Sequence, residues 1–226
     1  MQASTITDIC YYCGKVATSD EHVPPKTIFP KLKDSPNGMD YRKDLYTVRS
    51  CDEHNSKKSR DDEYLLYILA MCLPSNNIAK HHFLTKVQRA IKRKPALLES
   101  LLIKTQEVVL HDTVNNLWQK SIAIQPDHTR MNSLFTHIAK AIYFLETGKV
   151  WQKNVSVLIE FMLSLTNVAQ NEHQTETESV INEFLTVISH KGQNQDIFSY
   201  QFLEYQGQAM LRLHFYGNSK VSAIFV

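Results

Sequence analysis

Two pairs of metal-ligand residues, Cys10-Tyr11-Tyr12-Cys13 and Cys51-Asp52-Glu53-His54, bracket the tetrapeptide Glu21-His22-Val23-Pro24 near the start of the chain. Two cysteines separated by two residues can place both sulfurs on one tetrahedral ion. Gly14, directly after the first pair, permits the tight turn in which backbone N–H groups face thiolates. Histidine is an ordinary zinc ligand, so Cys10, Cys13, Cys51 and His54 make a complete set for structural Zn2+. Between the pairs, His22 can accept a proton near neutral pH, and Glu21 beside it is a hard oxygen donor. The chemistry open to such a group is metal-assisted hydrolysis, with one ion holding the fold and the residues between the pairs activating water.

These side chains need a scaffold that returns the second pair to the first across residues 14–50. Val16 to Val23 reads as a strand stopped by Pro24-Pro25, because proline supplies no ladder donor, and Asp44 to Val48 reads as its partner. The joining loop holds Lys26, Lys31, Lys33, Arg42 and Lys43 against Asp34 and Asp40, with a turn at Ser35-Pro36-Asn37-Gly38. Such a loop suits a phosphate backbone, and it equally suits a solvated surface. Ser50-Cys51-Asp52-Glu53 has the form of a capping box, with Ser50 as N-cap. The apolar pattern through Tyr64, Leu65, Tyr67, Ile68 and Met71 then predicts a helix of about 20 residues. On that helix His54 lies nearly on the face of Cys51, while Asn55 turns a further ~100° toward Lys58 and Asp62, so the neighbours can serve different sites.

The order of strand, knuckle and helix, with Glu-His-Val-Pro on the hairpin and Cys-x-x-His-Asn at the helix start, resembles the HNH endonucleases, the zinc-stapled branch of the ββα-metal nucleases. The resemblance covers about residues 8–70. It implies that His22 is the general base and that Glu21 and Asn55 hold a catalytic Mg2+ or Mn2+. It further implies that Asp44 stands at the middle position, usually Asn, that braces the histidine loop, and that Cys10, Cys13, Cys51 and His54 hold Zn2+. Lys58 or Lys57 would add charge stabilisation. Two departures are visible: His54 replaces a cysteine, and Asp44 can accept a hydrogen bond but donates none unless protonated, so it would hold His22 through a ring N–H. A rival register makes His54 the last catalytic histidine and leaves zinc three ligands. The substrate implied is DNA, with RNA as an alternative, and a role in bacterial defence against foreign DNA would follow. A zinc-stapled nucleic-acid-binding module with a decayed site is the competing reading.

With 226 residues, 43% hydrophobic, the chain can bury a full core, and a net charge of +2 leaves nucleic-acid affinity to local clusters. No apolar run reaches the ~18 residues of a membrane span, and cysteines in ligand pairs fit a reducing compartment, so a cytoplasmic location with no membrane partner is expected. The predicted class is α+β: an HNH core at 1–75, then a mixed α+β region at 76–226 that selects substrate, a partner protein or a second copy of the chain. In that region residues 76–100 read as a basic helix whose Lys86, Arg89 and Arg93 would meet phosphates, 105–125 as a hairpin, and Met131 to Thr147 as a helix closed by Gly148. A strand near Val155 to Met162, a helix near Glu178 to His190 and paired strands from Ile197 onward follow. Cys72 reads as a buried thiol, His81, His82, His111 and His173 as surface residues, and Trp118 and Trp151 as core.

Overall fold

The structure, a computed structural model, describes residues 8–55, 59–95, 104–112 and 115–226. It is α+β. Strands β1 (Ser19–His22) and β2 (Thr47–Ser50) pair antiparallel with Glu21 opposite Val48 and His22 opposite Thr47. Helical segments α1 (Asp52–Asn55) and α2 (Ser59–Met71) follow. Both strands are shorter than the sequence predicts. Val16 leaves β1 to bridge Ile9 across the cysteine knuckle, and Asp44 sits before β2 in a turn with φ +54°.

Helices α3 (Asn77–His82) and α4 (Gln88–Arg93) flank a π-helical turn at Phe83–Val87. Asn76 caps α3 by accepting from the N–H groups of Ile78 and Ala79, satisfying donors the first turn leaves open. Strands β3 (Thr105–Asp112) and β4 (Leu117–Ile124) form a separate hairpin. Helix α5 (His128–Thr147) is capped by Asp127 and ended by Gly148 at φ +68°, the left-handed position that favours glycine.

A five-stranded antiparallel sheet completes the fold, in the order β5 (Val155–Ile159), β9 (Ser219–Phe225), β8 (Gln208–Phe215), β7 (Phe198–Tyr205) and β6 (Lys191–Asn194). Alternation gives this sheet two unlike faces. Phe198, Tyr200, Leu213, Phe215, Val221 and Phe225 form an apolar face, against which α5 sets Phe135 (5.7 Å from Phe215) and Tyr143 (5.1 Å from Phe225). The opposite face carries Arg212, whose side chain is only 3% exposed. It donates to Glu160 at 2.9 Å and to Asn182 of helix α6 (Val168–Leu185), which begins ten residues before the predicted Glu178.

Ser75, at the expected boundary between the two regions, is buried. It donates to the Leu69 carbonyl at 2.7 Å and bridges Gly217. One hydrophobic cluster runs from Tyr11 through Leu65 and Phe135 to Phe225, so the N-terminal hairpin and the large sheet share a core.

Two assignments made from local sequence change. His82 is fully buried: Tyr216 donates its hydroxyl hydrogen to the Ile28 carbonyl, so His82 Nδ1–H must donate to Tyr216 Oη at 3.1 Å. Trp118 is 66% exposed on the hairpin and stacks on His111 with centroids 4.0 Å apart. Trp151 is buried, as its sequence context predicts, while Cys72 is half-buried.

Candidate metal centre and adjoining hairpin

Cys10, Cys13, Cys51 and His54 converge. Cys13 Sγ and Cys51 Sγ lie 3.8 Å apart, Cys10 Sγ and His54 Nδ1 3.8 Å, and Cys51 Sγ and His54 Nδ1 3.1 Å, with all four ligand atoms within 4.8 Å of one another. A zinc tetrahedron with bonds of ~2.3 Å to sulfur and ~2.0 Å to nitrogen has edges of about 3.5–3.8 Å, and the separations of this cluster bracket that range. The cluster can hold a metal and is compatible with structural zinc. It groups His54 with the three cysteines.

The knuckle is built by its backbone. Cys10 N–H donates to the Lys15 carbonyl at 2.7 Å and Gly14 N–H to the Cys10 carbonyl at 2.9 Å, a reversal that needs Gly14 at φ +73°. Burial alone would raise the Cys10 thiol. Backbone donors from Cys51, Cys13 and Tyr12 outweigh it, and the thiol falls below its ordinary value.

On the helix side, Cys51 is the N-cap, because its carbonyl accepts from His54 and Asn55 N–H at 3.0 Å each. Ser50, the predicted cap, remains in the β2 ladder, and Glu53 pairs with Lys15 at 3.4 Å instead of reaching back. The capping-box pattern failed because the ladder claimed its first residue.

The Cys3His cluster adjoins the hairpin. Adjacent strand residues project to opposite faces, so Ser19 and Glu21 lie on one side of β1 and Asp20 and His22 on the other. Asn55 Nδ2 donates to Ser19 Oγ at 2.7 Å, and Ser19 donates its hydroxyl hydrogen to the Ser50 carbonyl at 3.3 Å. With its amide nitrogen so committed, Asn55 keeps Oδ1 as an oxygen donor on the Glu21 side of the strand. Glu21 Oε1 accepts from Tyr11 Oη at 3.4 Å, which ties it to the knuckle.

His22 is half-buried at the end of β1, and its pKa is lowered by burial first, then by the charges of Lys26 and Arg42, against a smaller opposing effect of Asp20. Asp44 is exposed, and no side-chain hydrogen bond joins it to His22 among the described residues. The bracing role expected for it has no counterpart in the geometry, because the turn at Asp44 precedes β2 while Thr47 faces His22. Lys58 and Lys57 lie outside the described residues.

The basic residues divide into two groups. Lys26, Lys31, Lys33 and Arg93 are exposed. Lys86 instead turns inward: its Nζ donates to the Thr27 carbonyl at 3.1 Å, and burial, followed by the charge of Arg42, lowers its pKa to about 8. Arg89 binds Asp34 at 2.7 Å, and the Asp34 side chain is 3% exposed. Lys86 and Arg89 therefore tie the 26–43 loop down, which takes Lys86 Nζ away from the phosphate contact expected of it, while the Arg89 side chain remains 45% exposed.

Sequence pattern missed Ser19 and Tyr11, whose contacts depend on neighbours across the hairpin, and it read Arg42 only as one of several basic residues of the loop. It also missed the contact of Tyr12 with α5, where its ring stacks on His137 at 4.3 Å, beside His54 at 4.4 Å, under Lys140 Nζ at 4.6 Å. No helix among the described residues is long and apolar enough to cross a membrane. Comparison with protein-family models, with curated proteins and with solved structures returns no match.

Proposed function

We propose that this chain is an HNH-type, divalent-metal-dependent endonuclease that hydrolyses phosphodiester bonds of DNA. The observation that carries the reading is the clip itself: a Cys3His cage joins a β hairpin bearing Glu21 and His22 to a helix start bearing Asn55. Structural Zn2+ in that cage supplies folding free energy and fixes the register between hairpin and helix.

Phosphodiester hydrolysis needs a water aligned opposite the leaving 3′ oxygen, a base for its proton, and relief of charge on the phosphate. His22, neutral at physiological pH because burial, Lys26 and Arg42 disfavour its cation, takes the proton from water. Glu21 and Asn55 Oδ1 offer the two oxygen donors typical of a site that leaves a hard ion mostly hydrated. Because Glu21 and His22 project to opposite sides of β1, the scissile phosphate would lie across the end of the strand, where Mg2+ or Mn2+ held by Glu21 and Asn55 would supply Lewis-acid stabilisation of the phosphate and the leaving oxygen. Exposed Lys26, Lys31 and Lys33 line the adjoining loop and suit a phosphate backbone.

A plasmid-cleavage assay with and without Mg2+ or Mn2+ tests the reading, using wild-type protein and His22→Ala. Cleavage that needs the ion and His22 supports it. Failure of wild type to cut any DNA or RNA rejects it in favour of a binding module with a decayed site.

A further inference from the structure

Arg42 stands in the turn that closes the β1–β2 loop. Its backbone N–H donates to Asp40 Oδ1 at 3.0 Å, and its side-chain Nε–H donates to the Phe29 carbonyl at 2.9 Å. These two bonds fix the backbone and the inner edge of a half-buried guanidinium. The terminal nitrogens, Nη1 and Nη2, make no hydrogen bond or ion pair among the described residues. Asp34, one of the carboxylates whose field reaches Arg42, is already bound to Arg89. The charge is felt nearby, since His22, His82 and Lys86 are each pushed downward in part by Arg42.

A planar guanidinium fork matches two phosphate oxygens at once, which a lysine ammonium does not. Held by Nε on Phe29, the fork of Arg42 belongs to the loop that runs on from His22, and its charge reaches His22 together with that of exposed Lys26. We propose that Arg42 is a phosphate clamp, binding the two non-bridging oxygens of the phosphodiester whose attacking water His22 deprotonates. This rests on the nuclease reading above and adds a substrate-contacting residue to it.

The test uses the full-length His22→Ala protein, which binds without turnover, and a fluorescent DNA duplex titrated at several salt concentrations. Adding Arg42→Gln should weaken binding roughly tenfold at low salt and reduce the salt slope by about one, the signature of one lost phosphate contact. With His22 intact, Arg42→Lys should keep the salt slope and still lose cleavage rate, because charge remains and fork geometry does not. Unchanged affinity and slope in Arg42→Gln overturn the clamp even if wild type cuts DNA. Conversely, a wild type that cuts nothing but binds DNA through Arg42 overturns the nuclease reading and the clamp's place at a scissile phosphate, and leaves Arg42 as a phosphate contact of a binding module. A measurement that needs no Arg42 variant is titration of wild-type protein with inorganic phosphate, followed by NMR of arginine Nε–H and histidine ring signals. Movement of Arg42 and His22 is the expected result, and movement confined to other residues overturns the proposal.

Discussion

Asn55 donates its side-chain N–H to Ser19 Oγ at 2.7 Å, so the residue directly after the last cage ligand is locked to the strand that carries Glu21. The lock chooses which end of the amide faces the proposed divalent ion. Ser19→Ala should free the Asn55 side chain to rotate and raise the Kd for Mn2+ about 10- to 100-fold, the usual cost of losing an orienting partner, with zinc content unchanged. Calorimetric Mn2+ titration checks it, and equal affinity in wild type and variant refutes the orienting role.

Cage removal should act on folding before it acts on chemistry. Cys13→Ser is expected to lose zinc and several kcal/mol of stability, at ~2–4 °C of melting temperature per kcal/mol for a chain of this size. Metal analysis together with thermal melts reads both effects. A zinc-free wild type, or a variant that melts unchanged, contradicts the structural role of Zn2+.

His22→Ala should lower cleavage by about 10²–10⁴-fold with the melt intact. Because the neutral imidazole is the working form and its pKa is lowered, activity should persist below the ordinary histidine value of ~6.5 and vanish as pH falls through the lowered one. Lys26→Gln removes a positive neighbour, so the acid limb of the pH–rate profile should move to higher pH. A limb that stays in place or moves lower argues against His22 as the titrating base.

Arg89→Ala should destabilise the fold, because Asp34 would then be left buried without its partner. Asp34 is held below the ordinary carboxylate range by Arg89 against the opposing effect of burial. With Arg89 itself 45% exposed, solvent screening reduces the expected loss to about 1–3 kcal/mol. Arg93→Glu, at an exposed site, should change DNA affinity and leave the melt within about 0.5 kcal/mol. Urea unfolding of the two variants separates these roles.

Buried histidines predict an acid-sensitive fold. His82 and His214 are each lowered to about 3, by burial first. Since the unfolded chain takes up these protons near pH 6.5 and the folded chain does not, stability is full above that value and falls progressively toward pH 3. His82→Asn, which retains a donor toward Tyr216, should flatten that slope. Denaturant melts at stepped pH values measure it, and an unchanged slope would show that His82 does not contribute.

The Cys3His cluster was legible in the sequence because its pattern is local. A Cys-x-x-Cys pair with Gly14 and a Cys-x-x-His pair at a helix start each constrain geometry over four or five residues, and one ion needs both. The helix closed by Gly148 and the hairpin turning at Asn115-Asn116 were legible for the same reason, since glycine and asparagine accept the backbone angles those ends require. Other assignments depended on which surface folds against which. Lys86 and Arg89 have the local pattern of a basic helix face, yet that face meets Thr27 and Asp34, far away in sequence. His82 and Trp118 exchanged their expected places because burial is set by the sheet and the hairpin around them. Arg42 carries no motif at all. Only folding of the 23–29 segment against the 41–47 segment fixes its inner nitrogen on Phe29, leaves its outer edge open, and gives His22 a positive neighbour.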